Sequence, residues 1–290
     1  MLFLTKGYGF FDYKDFISYD GQKYIGQDFF GPMHKIFMVL ATILLVILVI
    51  SFKKIEEKKF NKYLKVLSIV LIFFEIFKFT WETYFDIKMG HGFNYADVLP
   101  LYTCSMFFIL LPIAAFTKNE KIRLSIFSWM CTIGIFGGLT NFYLPQMLKK
   151  YPFFTFNVFY SLSYHFLMSF TGLLILTSKR YILDWKDIIK GWIPLALFSM
   201  IVIPVNYYVS DIIGIKEVDY MMLMHGYGAP FLPKFAQLLI KNNLQFIFTI
   251  FMLFGYMIVS TLVVVIYKLV DKIVKYTNFN DSKNYAEKFF

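Results

Sequence analysis

Residues 36–52 read IFMVLATILLVILVISF and are followed at once by Lys53 and Lys54. As a helix this uncharged run extends about 26 Å at 1.5 Å per residue, close to the roughly 30 Å hydrocarbon core of a bilayer. Six more runs of similar character lie at 64–85, 97–117, 124–143, 156–177, 189–209 and 244–268. In lipid only α-helices and closed barrels satisfy every backbone polar group, and these runs are too long and continuous for barrel strands. The expectation is therefore an all-α, polytopic membrane helix bundle of about seven transmembrane helices.

Composition agrees with that reading. Hydrophobic residues make up 58% of the 290, charged residues 17%, and the mean hydropathy is +0.60. Soluble domains carry about 25% charged residues. The net charge of +10 would suggest nucleic acid in a soluble protein. Here the lysines sit between apolar runs, where they set topology and meet anionic headgroups. No nucleic-acid partner is expected, and membrane lipids are the expected environment and possible substrate.

Two cysteines, Cys104 and Cys131, fall inside apolar runs, too few for a disulfide framework. The first thirty residues contain Asp12, Asp15, Asp20 and Asp28 and lack the apolar core of a signal peptide. The first span is expected to do the targeting. The chain divides into an outer segment 1–35, a membrane domain 36–268 and a cytoplasmic polar tail 269–290 that is expected to fray.

Lys and Arg concentrate in alternate loops: Lys53, Lys54, Lys58, Lys59, Lys62 and Lys65 in the first, then Lys118, Lys121 and Arg123, then Lys179, Arg180, Lys186 and Lys190, and finally the tail. That bias predicts an N-terminus outside and a C-terminus in the cytoplasm of a plasma membrane. A composition heavy in Phe, Ile, Lys, Tyr and Asn with little Arg suggests an AT-rich bacterial source.

Polar residues inside the spans are costly, about 2.5–3.5 kcal/mol for a central charge on insertion scales. Glu75, Lys78 and Glu82 follow an i, i+3, i+7 spacing on one helical face. They read either as a neutralised pair that helps packing or as the wall of an internal cavity. Asp97 is placed to cap the third span. Cys104 reads as a small filler or as a nucleophile. Cys131, Gly134, Gly138 and Asn141 share a face, and the two glycines form a close-packing pair.

Ser161, His165, Ser169 and Gly172 form a stripe on the fifth span, and His165 needs a partner for at least one ring nitrogen. With N-out topology, Glu82, Asp97, Cys104, Asn141, His165, Asn206 and Gln245 all fall in the outer half, on six helices. They point to a polar chamber open to the outer leaflet. His225 to Pro230 reads as turns in the longest loop, about 210–243. No two histidines have metal-ligand spacing, and no phosphate or nucleotide loop occurs, so neither metal nor cofactor is expected.

The strings Pro32-Met33-His34, Leu99-Pro100-Leu101-Tyr102-Thr103-Cys104-Ser105, Ser163-Tyr164-His165 and Asn206-Tyr207 resemble those of the bacterial YwaF-like integral membrane proteins. The resemblance runs from about residue 32 to 268. Animal relatives of that family are membrane acyltransferases that remodel ether phospholipids. The family pattern has His where this chain has Tyr102, and Asn-Tyr where it has Val218-Asp219-Tyr220-Met221.

The resemblance implies a cofactor-independent transacylase in which Cys104 is the nucleophile and His165 the base. Asn141 or Asn206 would donate to the oxyanion, and Glu75, Lys78, Glu82 and Tyr102 would support the site or bind substrate. The alternatives are a small-solute or ion transporter lined by Glu75, Lys78 and Glu82, and a non-catalytic membrane protein.

Overall fold

The computed structural model describes residues 9–13, 18–19, 22–23, 30–90, 92–93, 95, 99–149, 151–215, 218–224 and 234–289. It is an all-α bundle, with one antiparallel pair of two-residue strands, Ser18–Tyr19 and Gln22–Lys23, before the first helix. The helices are α1 (Pro32–Phe52), α2 (Glu57–Lys88), α3 (Met106–Phe116), α4 (Glu120–Trp129) and α5 (Ile135–Tyr143). They continue as α6 (Phe156–Thr177), α7 (Asp187–Tyr207), α8 (Lys234–Lys241) and α9 (Gln245–Phe289). A π-turn at Met130–Gly134 joins α4 to α5 into one bent pass, and another at Tyr208–Ile212 ends α7.

Among the described residues, five helical stretches are long and apolar enough to cross a membrane alone: Pro32–Phe52, Glu120–Leu148, Phe156–Thr177, Asp187–Ile212 and Gln245–Tyr276. The α2 helix, with its Glu75 and Lys78, and the short α3 supply two further passes, which brings the bundle to about seven. The α4–α5 pass and α6 are each 61% buried over their apolar windows, whereas α1 and α9 are 11% buried. The former pair is therefore the centre and the latter pair the lipid-facing rim. On α1 the exposed residues include Ile36, Val39, Leu40, Ile43, Leu44 and Ile47, a face that suits hydrocarbon.

Hydrogen bonds between passes supplement this packing. Thr42 Oγ1 lies 2.8 Å from Tyr143 Oη, joining α1 to α5. Tyr63 Oη lies 2.7 Å from Thr171 Oγ1, joining α2 to α6. Trp192 Nε1 donates to the Leu253 carbonyl at 3.0 Å, joining α7 to α9. At the lysine-rich end, Lys268 Nζ meets Asp184 Oδ1 at 2.9 Å and holds that carboxyl below the usual carboxylate range.

Three features differ from the sequence reading. The third pass is not helical from 97 to 117: its helix begins at Met106, and 99–105 is irregular. Pro100 has no N–H and disfavours helical geometry at Leu99. The turn that results is closed by Leu101 N donating to Leu99 O at 2.9 Å and Met106 N to Thr103 O at 3.3 Å. The tail after Lys268 does not fray but continues α9 to Phe289, with Lys275 paired to Asp271 at 2.7 Å. Segment 218–224 is a built cap rather than open loop, with a 3-10 turn at Tyr220–Met222. Asp97 and His225 to Pro230, read as a cap and as turns, lie outside the described residues.

Gly138 and Gly172 let α5 and α6 close on one another. A Cβ on Gly138 would stand 2.3 Å from Ser169 Oγ and 2.9 Å from the His165 carbonyl. One on Gly172 would stand 2.5 Å from both the Met130 carbonyl and Ile135 Cγ1. Gly134 instead faces Trp129 of its own pass. Cys131 is fully buried, and its thiol points at the Gly172 carbonyl at 3.6 Å.

Gly172→Ala is expected to cost about 1–3 kcal/mol through overpacking. Gly255→Ala, with open space around its Cβ, should be neutral or stabilise by up to about 1 kcal/mol. Thermal unfolding of both variants in detergent checks this pair, and equal melting points would refute the packing role of Gly172.

Candidate active site

In the half of the bundle remote from the lysine-rich loops, α2, the irregular 99–105 segment and α6 enclose a cavity of about 100 Å³. Glu75 and Lys78 line it from α2; Leu99, Pro100, Tyr102, Cys104 and Ser105 from the irregular segment; and Tyr160, Ser161, Tyr164 and His165 from α6. The location follows from backbone chemistry. Non-helical backbone at membrane depth persists only where it is enclosed by protein or lines a cavity.

Tyr164 supplies the missing partners of the interrupted pass. Its hydroxyl accepts from Phe108 N at 3.1 Å and donates to the Cys104 carbonyl at 2.9 Å. Thr103 Oγ1 meets Tyr256 Oη of α9 at 2.6 Å. Cys104 is thus held on a fixed turn at the head of α3, partly accessible and unpaired with Cys131.

Glu75, Glu82 and Asp86, in the second half of α2, each have a donor. The Tyr160 hydroxyl donates to Glu75. Glu82 accepts from Lys78 at 2.8 Å and from Asn157 Nδ2 at 3.1 Å. One turn further on, the hydroxyl of buried Tyr13 donates to buried Asp86, with the Tyr13 ring stacked on Phe85 at 5.5 Å. Lys78 and Glu82 side chains are only 10% and 2% exposed. At that depth the pair is held by Coulomb attraction and additional hydrogen bonds against a large desolvation cost.

His165 has a defined tautomer. Its Nδ1 lies 2.7 Å from the Ser161 carbonyl, which can only accept, so Nδ1 carries the proton. The neutral ring then presents a bare lone pair at Nε2, which is buried and has no hydrogen-bond partner.

Of the residues singled out in the sequence, Cys104, His165, Glu75, Lys78 and Tyr102 line this one cavity. Glu82 stands behind it through Lys78. Asn141 and Asn206 are elsewhere. Asn141 Nδ2 bonds the Gly137 carbonyl of its own helix at 3.0 Å. Asn206 clasps the backbone of Tyr220, donating to its carbonyl and accepting from its N–H, both at 2.9 Å. Asp219 Oδ1 accepts from Asn206 Nδ2 at 3.3 Å and Met224 N at 2.9 Å.

This clasp holds Met221 and Met222 at φ of 57° and 56°, a left-handed geometry that bulky residues avoid. Tyr220 in turn packs edge-on against Tyr102 at 5.3 Å, so the cap bears on the cavity segment.

Sequence reasoning missed the roles of Tyr160 and Tyr164. They precede Ser161 and His165 by one residue each and so form a second i, i+4 pair beside the first, which was the available signal. Among the described residues no cluster of three or more His, Cys, Asp or Glu side chains is arranged to hold a metal.

A family model described as the TMEM164 family matches residues 29–256. No curated protein and no solved structure matches the chain.

Lys78→Met removes the ammonium that lies 2.8 Å from the buried Glu82 carboxylate and should cost about 3–5 kcal/mol. Adding Glu82→Leu should recover most of that loss. Melting points of the single and double variants in detergent check this, and a single variant as stable as the parent would show that the pair is solvated.

Proposed function

The chain belongs to the TMEM164 family, and on that premise we propose that it is a membrane phospholipid transacylase working through Cys104 and His165. The observation that carries the reading is the single cavity lined by both side chains, together with a histidine whose Nδ1–H is engaged and whose Nε2 is free to accept a proton.

In the first half-reaction the Cys104 thiol attacks the acyl carbonyl of a phospholipid ester. His165 takes the thiol proton at Nε2 and passes it to the departing lysolipid alkoxide, leaving a Cys104 thioester. In the second, His165 takes the proton of a new lysolipid hydroxyl as it attacks the thioester, and the thiol is regenerated. Atoms and charge balance without a soluble cofactor. Ser105 and Lys78, which line the cavity, replace Asn141 and Asn206 as the groups available to a developing oxyanion.

The lysine distribution supports a topology with the cavity in the outer half of a plasma membrane, the N-terminus outside and the C-terminus in the cytoplasm. Ester carbonyls of lipids sit just below the headgroups, at the depth this cavity would then have. The strings around Pro100 and His165 support placing the chain in the bacterial YwaF-like branch.

One observation favours a second reading. The third pass is interrupted at 99–105, and interrupted helices at membrane depth also build the binding sites of transporters. Solute flux into proteoliposomes is the discriminating measurement.

With a fluorescent acyl phospholipid as donor and a lysolipid as acceptor, the parent should transfer label and carry a hydroxylamine-sensitive acyl group. Cys104→Ser and His165→Ala should each lower transfer by about 10²-fold or more, while Cys131→Ser retains it. Full activity in both of the first two variants sinks the assignment, as does solute flux without acyl transfer.

A further inference from the structure

A second feature lies on α2 at the lysine-rich end, remote from the cavity and independent of any acyl transfer. An open groove of about 700 Å³ is lined by Glu57, Lys58, Asn61, Lys62, Lys65, Val66 and Ile69. Lys58, Lys62 and Lys65 recur at i, i+4 and i+7, so their ammonium groups lie on one face of the helix. The same face continues as Val66, Ile69 and Phe73, which are 50%, 62% and 64% exposed. Along roughly 10 Å the ridge is cationic, and along the next 10 Å or so it is bare hydrocarbon.

The charge of the groove is not cancelled locally. Its one carboxylate, Glu57, faces Arg180 Nη1 at 3.7 Å, and Arg180 is anchored on the Ile55 carbonyl at 2.7 Å. A further cation stands behind it: the Arg123 guanidinium donates to Asn61 through Nη2 and lies over the Phe127 ring at 5.2 Å. Its Nε is buried without a partner. Lys65 Nζ sits 5.7 Å from the Phe116 ring, itself 56% exposed, so a second apolar wall flanks the basic ridge.

We propose that this groove binds one anionic phospholipid of the surrounding leaflet. Its phosphate would be held between Lys58, Lys62 and Lys65, and an acyl chain would be laid along Val66, Ile69 and Phe73. The lengthwise order of charge then hydrocarbon is that of a lipid, and the sign selects an anionic headgroup over a zwitterionic one. Free phosphate would satisfy the lysines but would leave the apolar half of the ridge unused.

The test uses the full chain in nanodiscs of phosphatidylcholine with and without phosphatidylglycerol. The parent should melt several degrees higher with phosphatidylglycerol and retain it in native mass spectrometry. The triple variant K58Q/K62Q/K65Q should lose that shift, with affinity falling about five-fold per lysine removed, and should melt like the parent in phosphatidylcholine. The equal-charge control K118Q/K121Q/K186Q, at exposed lysines of the same end, should keep the shift. Loss of the shift in the control to the same extent would reduce the effect to bulk attraction and overturn the site, as would a parent indifferent to phosphatidylglycerol. If the triple variant does not fold, K62Q alone with the retained-lipid readout decides on the same terms.

Discussion

Every backbone N–H and C=O inside a bilayer must find its partner within the protein, and the break before α3 is where this chain meets that demand without a helix. A continuous third helix would satisfy its own backbone and could face lipid anywhere. An interrupted one cannot, so the segment 99–105 has to be enclosed. The enclosure is made by α6, whose Tyr164 hydroxyl bridges Phe108 N and the Cys104 carbonyl, by α9 through Tyr256, and by the cap at 218–224 through Tyr220. The cavity is what remains between the irregular backbone and the side chains that serve it.

That requirement ties distant parts of the chain to one another. Asn206 holds Tyr220, Tyr220 packs on Tyr102, and Tyr102 belongs to the segment that presents Cys104. Asn206 therefore affects the candidate nucleophile without approaching it. On the other side, close approach at Gly138 and Gly172 sets the position of α6, and with it the positions of Tyr160, Tyr164 and His165. An intramembrane cysteine on an ordinary helix would be a small apolar filler; Cys131, buried and aimed at the Gly172 carbonyl, is that case in the same molecule.

The passes themselves were legible because hydrocarbon thickness imposes a run length that any sequence displays. The face of α2 was legible for a similar local reason: i, i+3 and i+7 leave Glu75, Lys78 and Glu82 no choice but to align. What escaped the sequence was set by contacts far apart along it. Tyr13 reaches Asp86 across 73 residues, and nothing near either residue announces the other. Pro100 was visible, yet a proline is also welcome in a first helical turn. The Tyr164 hydroxyl, 56 residues on from Phe108, completes the delayed helix start at Met106 by accepting from Phe108 N. Asn141 and Asn206 share by depth the half of the bundle remote from the lysine-rich loops, and depth does not fix azimuth: one turns to its own helix, the other to Tyr220.

The charges on α2 add a separate argument. A helix dipole favours anions at the N-terminus and cations at the C-terminus. Glu57 in the first turn and Lys88 in the last obey this, but Lys58 in the first turn and Asp86 in the last oppose it, and the larger pattern of lysines early and carboxylates late runs the same contrary way. Helix stability therefore does not explain the order. At the late end each carboxylate is answered from outside α2, by Tyr160, Asn157 and Tyr13, so tertiary contacts offset the unfavourable placement. At the early end Lys58, Lys62 and Lys65 sit on an open groove with no comparable set of acceptors in its lining. If the same physics governs both ends of one helix, charges set against its dipole are retained by what they touch, and at the lysine-rich end the phosphate layer of the bilayer is the counter-charge within reach.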